Sequence, residues 1–284
     1  MQHVSFPDGT SCPALGLGTW RMGESARARA AEVAAVRLAL EIGYRVIDTA
    51  EMYGEGGAEE VVGEALAQAL RAGTVTRDEV FVVSKVYPHN ASRAGVRAAC
   101  ERSRRRLGLE RIDLYLLHWR GQHALGETVA SFEALLAAGH IARWGVSNFD
   151  VDDMAELMRV RGGAACAANQ VYYSVGERGA GHSLLPWLQR HGMPLMAYCP
   201  IDQGRLAGDG ALADLAARHG ATASQLALAW AMQQHGVMVI PKAVREAHLR
   251  ENFAAASLRL GAEDLGAIDA RFPPPRHKTS LAMV

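Results

Sequence analysis

Val80-Phe-Val-Val-Ser-Lys85 and Ile112-Asp-Leu-Tyr-Leu-Leu117 are two short apolar runs, rich in β-branched and aromatic residues and too brief for helices. Both read as buried strands. Between them Ser92 stands where a helix N-cap belongs, and Val96, Cys100 and Leu107 recur at helical spacing behind it. A helix linking two buried strands is the crossover that parallel pairing requires. These residues therefore form a βα unit followed by a second parallel strand.

Working outward, the same alternation fills the chain. Upstream lie Tyr44-Arg-Val-Ile-Asp48 and a helix faced by Val62, Leu66 and Leu70. Before those come Ala14-Leu-Gly-Leu-Gly18 and a helix carrying Val33, Val36 and Leu40, with Gly43 placed to end it. A hairpin over residues 2–12, turning at Asp8-Gly9, opens the sequence. Downstream, a helix through Val129, Phe132 and Leu136 leads to Arg143-Trp-Gly-Val146. A helix capped by Asp150 follows, with Val151, Met154 and Met158 facing inward. The sixth strand reads as Ala165 to Gln170, and its helix surrounds Leu184, Leu185 and Leu188. Pro194-Leu-Met-Ala-Tyr198 is the seventh, then two helices (Leu212–His219, Ser224–Gln234) and the eighth, Val237-Met-Val-Ile240. Helices over Glu246–Ala256 and Ala262–Ala270 precede a tail that Pro273-Pro-Pro275 keeps irregular.

Eight strand-then-helix units predict an α/β fold, a (β/α)8 TIM barrel with an N-terminal β-hairpin and a short C-terminal tail, as one domain over residues 1–284. The competing open doubly wound sheet lacks its signature, because Gly16-Leu-Gly18 continues as Thr-Trp-Arg-Met and not as a dinucleotide-binding glycine motif. With 30 basic and 30 acidic side chains, no net charge draws the chain to nucleic acid or to an anionic membrane. No apolar run approaches the roughly 18 residues of a membrane span. The first residues lack the pattern of a signal peptide, so a cytoplasmic location is expected. Cys12, Cys100, Cys166 and Cys199 lie far apart and read as small hydrophobes in a reducing compartment.

In a TIM barrel the chemistry sits at the carboxyl ends of the strands. Those ends read Asp48, Lys85, His118, Ser147-Asn148, Gln170, Tyr198 and Lys242, each a polar group closing an apolar run. Any one of them is ordinary; all of them at one mouth point to function. Tyr53 follows Asp48 on the same loop. A phenol with its usual pKa of about 10 is a poor acid near neutrality. The expectation is that the ammonium of Lys85 lowers it, Asp48 holds Lys85 charged, and His118 donates a hydrogen bond to a carbonyl oxygen. That set suits protonation of a carbonyl oxygen during nucleophilic attack on its carbon. His118, His123 and His182 form no His-x-His pair on any strand, so no metal is expected.

Asp48-Thr-Ala-Glu-Met-Tyr53, Ser84-Lys85, Leu116-Leu-His118-Trp119, Gly145-Val-Ser-Asn-Phe149, Asn169-Gln170-Val-Tyr172 and Ile240-Pro-Lys242 resemble, in order, the signatures of the aldo-keto reductase family, over about Leu15 to Leu258. The Asp48–Gly54 segment and the tail are similar to bacterial members that reduce methylglyoxal. The resemblance implies a nicotinamide cofactor lying across the barrel mouth, with Tyr53 as general acid, Lys85 and Asp48 tuning it, and His118 orienting the carbonyl. It further implies that Ser147, Asn148 and Gln170 hold the carboxamide and that Tyr198 stacks on the ring. Pro200, Ile201 and Arg205 would pass over the pyrophosphate, and Lys242, Ala243, Val244, Glu251 and Asn252 would meet the adenosine end.

Lys242 favours NADPH, while Ala243 and His248 stand where relatives carry a hydroxyl residue and an arginine, so NADH is also admitted. Arg245 replaces the missing guanidinium if its loop turns inward. Trp20, Met52, Tyr87 and Trp119 would line a pocket for a small aldehyde or ketone, left wide by a short final loop. Trp144 and Trp187 are expected only to pack. A monomeric reductase is the leading reading; an NADP-binding regulatory subunit with little turnover is the alternative.

Overall fold

The computed structural model describes residues 2–284. β1 (His3–Ser5) and β2 (Ser11–Pro13) form the opening antiparallel hairpin. Its turn is held by the Asp8 carboxylate, which accepts from the Thr10 backbone N–H at 3.0 Å, and Gly9 supplies the left-handed residue (φ 81°).

Eight parallel strands then line up in chain order: β3 (Leu17–Gly18), β4 (Val46–Asp48), β5 (Phe81–Val86), β6 (Leu114–Leu117), β7 (Trp144–Ser147), β8 (Asn169–Tyr172), β9 (Leu195–Tyr198) and β10 (Val237–Val239). The first and last strands meet through bridges Leu15↔Val239 and Gly18↔Lys242, so the sheet closes on itself. At that seam the Gly16 N–H donates to the Val239 carbonyl at 2.8 Å and the Gly18 N–H to that of Pro241 at 3.1 Å. A Cβ on Gly18 would lie 2.5 Å from the Ile240 carbonyl oxygen, so only glycine lets the two backbones approach this closely. The fold is the (β/α)8 barrel that the alternation predicts.

The helices are α1 (Ala26–Ile42), α2 (Gly57–Arg71), α3 (Arg93–Leu107), α4 (Leu125–Ala137), α5 (Val151–Arg159), α6 (Leu184–Arg190), α7 (Gly210–Ala217), α8 (Ala223–Gln233), α9 (Glu246–Ala254) and α10 (Ala262–Arg271). Their ends follow local chemistry. Gly43 (φ 123°) stops α1, the Ser92 hydroxyl accepts from the Gly95 N–H at 3.1 Å, and Asp150 caps α5 through the Val151 N–H at 2.7 Å. Val36, Val62, Val96 and Phe132 are buried, as their helical spacing requires. Trp144 stacks on Phe132 at 5.3 Å and Trp187 on His191 at 3.7 Å, so both indoles pack. Each fully buried large apolar side chain contributes roughly 1.5–3 kcal/mol.

Several expected strand starts shift, two of them for visible structural reasons. The sixth barrel strand begins at Asn169, not Ala165, because Gly163–Ala165 forms a tight 3-10 turn. The fourth begins at Leu114, because the Asp113 carboxylate takes the Val82 N–H (2.8 Å) and the Arg77 guanidinium (2.7 Å) in place of a backbone ladder. The tail also reaches further than expected. Arg178 donates to the Phe272 carbonyl, Lys278 pairs with Asp152 at 2.9 Å and Asp150 at 3.2 Å, and Met283 and Val284 border the mouth cavity. No helix among the described residues is long and apolar enough to cross a membrane.

Candidate active site

Asp48 closes β4, Lys85 lies near the end of β5, His118 follows β6, Ser147 closes β7, Gln170 sits in β8 and Tyr198 closes β9. Parallel strands bring all six to one mouth. Tyr53 enters the same mouth from a 3-10 excursion, Tyr53–Gly56, whose Gly54 (φ 56°), Glu55 (φ 52°) and Gly56 (φ 93°) all take left-handed backbone. A Cβ on Gly54 would lie 2.8 Å from Gly23 backbone, so glycine allows the excursion to fold against the β3–α1 loop.

The ammonium of Lys85 is the hub. It donates to Asp48 Oδ2 at 2.7 Å, to the Thr49 carbonyl at 2.9 Å and to Tyr53 Oη at 3.1 Å. Gln170 Nε2 donates to the other Asp48 oxygen at 2.8 Å. The Tyr53 ring meets the His118 imidazole edge-on at 5.6 Å, and the Lys85 ammonium lies 4.7 Å from the centre of the same ring. The ion pair is fully enclosed, its side chains 0% and 2% exposed. An enclosed pair persists only when its remaining hydrogen-bonding capacity is met, as it is here.

Burial dominates the ionisation of all four groups. It raises Asp48 against the opposing pull of Lys85, and lowers Lys85 against that of Asp48. His118 is driven well below 6.5 by burial and then by the Lys85 charge, so its ring is neutral at physiological pH. Tyr53 differs from the sequence expectation. Burial, followed by the charges of Asp48 and Cys199, pushes its phenol well above 10 rather than down. The phenol therefore holds its proton at neutral pH. His118 Nδ1 is buried with no hydrogen-bond partner, an exception to the usual satisfaction of buried polar atoms.

A cavity of about 840 Å³ opens over these groups. Asp48, Tyr53 and His118 line it with Trp20, Met52 and Trp119, and so do Pro200, Ile201, Lys242, His248, Glu251 and Asn252. Ser147, Asn148, Gln170 and Tyr198 also face it. Asn148, left-handed at φ 59°, accepts from Tyr198 Oη at 2.9 Å and donates to Ser147 Oγ and the His118 carbonyl, each at 3.2 Å. Ser147 Oγ in turn donates to the Gln170 carbonyl at 2.8 Å. These polar side chains already hold one another in place.

Five expected site residues lie off the cavity wall, Lys85 among them because it is fully enclosed against Asp48 and Tyr53. Tyr87 packs edge-on against Trp119 at 5.9 Å, Arg205 is 78% exposed and pairs with Asp202 at 3.7 Å, Ala243 is buried and Val244 half-buried. The wall also includes Arg21, Cys199, Gln203 and Met283, which sequence reasoning missed. Cys199 directly follows Tyr198 at the end of β9, so extending that strand end by one position would have found it; Arg21 directly follows the named Trp20.

A closed eight-stranded barrel whose mouth joins phenol, ammonium, carboxylate and neutral imidazole beneath an elongated cleft defines an oxidoreductase of carbonyl groups. The chain belongs to the aldo/keto reductase family, whose model matches residues 14–271. Among known proteins it is 49% identical to the methylglyoxal reductase YeaE of Escherichia coli strain K12, over 99% of this chain and 98% of that one. A crystal structure of an aldo-keto reductase from Klebsiella pneumoniae in complex with NADPH superposes with a TM-score of 0.94 at 49% identity, covering 100% of this chain and 99% of that chain. A second Klebsiella pneumoniae structure, in complex with NADP and acetate, gives 0.93 at 48% identity, with 99% of each chain covered.

Proposed function

We propose that this chain is an NADPH-dependent aldehyde reductase of broad range, methylglyoxal included, acting as a monomeric single-domain barrel in the cytoplasm. The observation that carries the reading is the enclosed Lys85 ammonium held between Asp48 (2.7 Å) and the Tyr53 phenol (3.1 Å), both of which line the cavity.

The residues present fit a dinucleotide. The cavity has the volume of a cofactor site, and Lys242 and His248 both line it. Lys242 is exposed, and Arg245, itself off the wall, brings its guanidinium within 2.8 Å of His248 Nε2. Those three would hold a 2′-phosphate, with Glu251 and Asn252 near the adenine. Ser147, Asn148 and Gln170 would hold the carboxamide, Tyr198 would back the ring, and Pro200 and Ile201 would border the pyrophosphate. A reduced nicotinamide bound there supplies the hydride.

The remaining chemistry belongs to the protein. His118, kept neutral by burial, donates an N–H to the carbonyl oxygen and fixes its direction. Tyr53 Oη, which retains its proton until the oxygen becomes an alkoxide, then passes it across. Negative charge left on the phenolate falls 3.1 Å from the Lys85 ammonium, which lowers the cost of the transfer. Trp20, Met52 and Trp119 supply apolar walls for a small aldehyde, and Met283 and Val284 also line the cavity. Tyr53→Phe keeps the ring and removes the proton. Aldehyde reduction, followed as loss of 340 nm absorbance, should fall by roughly a hundred- to ten-thousandfold while NADPH still binds; a near-normal rate would refute the reading.

A further inference from the structure

Two carboxylates outside the set just described are almost wholly enclosed. Glu59, at the start of α2, is 0% exposed, and Glu51, two residues before Tyr53, is 5% exposed. Together they bracket the left-handed excursion that carries the phenol. Glu51 accepts from the Tyr87 backbone N–H at 2.8 Å, from Asn90 Nδ2 at 3.0 Å and from Arg102 Nη2 at 3.1 Å. Glu59 accepts from Ser84 Oγ at 2.6 Å and from Arg106 Nη1 at 3.1 Å. Arg102 and Arg106 are one turn apart on α3, so both braces end on one rigid helix. The inner partners flank Lys85 on β5: Ser84 precedes it and Tyr87 follows two residues later, while the Glu51 N–H donates to the Lys85 carbonyl at 3.3 Å. The Arg106 guanidinium lies across the excursion itself, since a Cβ on Gly56 would fall 2.2 Å from its central carbon.

We infer that Glu51 and Glu59 are positioning residues for the Tyr53 phenol, bracing its excursion between α3 and β5 so that Oη stays in register with the Lys85 ammonium. This rests on the reading of Tyr53 as the general acid. Charged hydrogen bonds to guanidinium are stronger than neutral ones and define direction, which suits a segment whose backbone is otherwise strained. A proton donor displaced by a fraction of an ångström transfers late, and the step becomes limiting.

Glu51→Gln and Glu59→Gln keep side-chain size and remove the charge. At saturating NADPH each should lower the single-turnover rate of aldehyde reduction about tenfold and enlarge its solvent deuterium isotope effect, with NADPH affinity unchanged by tryptophan fluorescence. A loss of folded protein lowers the amplitude and leaves the isotope effect alone. Arg102→Lys and Arg106→Lys weaken the same braces from the solvent side and serve where a glutamine variant does not fold. An unchanged isotope effect in the variants of both braces overturns the inference. Tyr53→Phe, run beside them, separates the two ideas: if it keeps the normal rate, the general-acid reading itself is wrong.

Discussion

In the Tyr53 cluster the Lys85–Asp48 ion pair is enclosed and has partners. Lys85 makes three hydrogen bonds, Asp48 is gripped on both oxygens, and His118 is neutral. Around Lys242 the ammonium and the Arg245 guanidinium are exposed, Arg245 Nη2 lies 2.8 Å from His248 Nε2, and Glu251 accepts from the Thr222 hydroxyl. The contrast separates two tasks. Proton transfer works best with groups fixed beforehand in a water-poor site, where charges act strongly on one another. Holding a solvated phosphate needs only mobile cations within reach, and salt screens them.

The comparison breaks most sharply at Lys85. Lys85→Met leaves the Asp48 carboxylate enclosed without its cation, which should cost about 3–5 kcal/mol of stability in urea unfolding. It should also lower kcat by roughly a hundred- to thousandfold, since the phenolate then forms with no cation beside it. A weaker effect comes from pH. With His118 held well below 6.5, kcat for reduction should stay flat as pH falls from 8 to 6. It should drop on the alkaline side before Tyr53 titrates, because Lys85, lowered from 10.5, loses its proton first and Tyr53 lies well above 10. A pH–rate profile with a break near 6.5 would place a titrating imidazole in the mechanism and contradict this order. The smallest change belongs to the other region: Lys242→Met should weaken NADPH binding about tenfold in titration, leave NADH binding and kcat unaltered, and lose its effect at high salt.

The parts legible from sequence share one cause. A parallel barrel turns each strand end into a mouth position, so Asp48, Lys85, His118, Gln170 and Tyr198 were found by noting where apolar runs stop. Boundaries failed where a side chain replaced the backbone, as at Asp113, or where alanines form a tight turn, as before Asn169. The braces at Glu51 and Glu59 were invisible, because acidic residues near a helix start read as ordinary dipole partners, and their arginines lie far along the chain. The Tyr53 phenol was expected to be acidified because the sequence reveals its cationic neighbour and hides how completely both are enclosed.

The seam at Gly16 and Gly18 also governs how the molecule is made. It joins the first barrel strand to one that emerges from the ribosome only after residue 237, so during synthesis the growing sheet carries two raw edges. The pairs between successive strands, from β3–β4 to β9–β10, are the shorter-range ones, whereas ring closure is the most distant pairing in the sheet and belongs to the slow, high-contact-order part of folding. A nascent chain halted before β10 would own all of its proton-transfer groups and still be an open, adhesive sheet of seven strands.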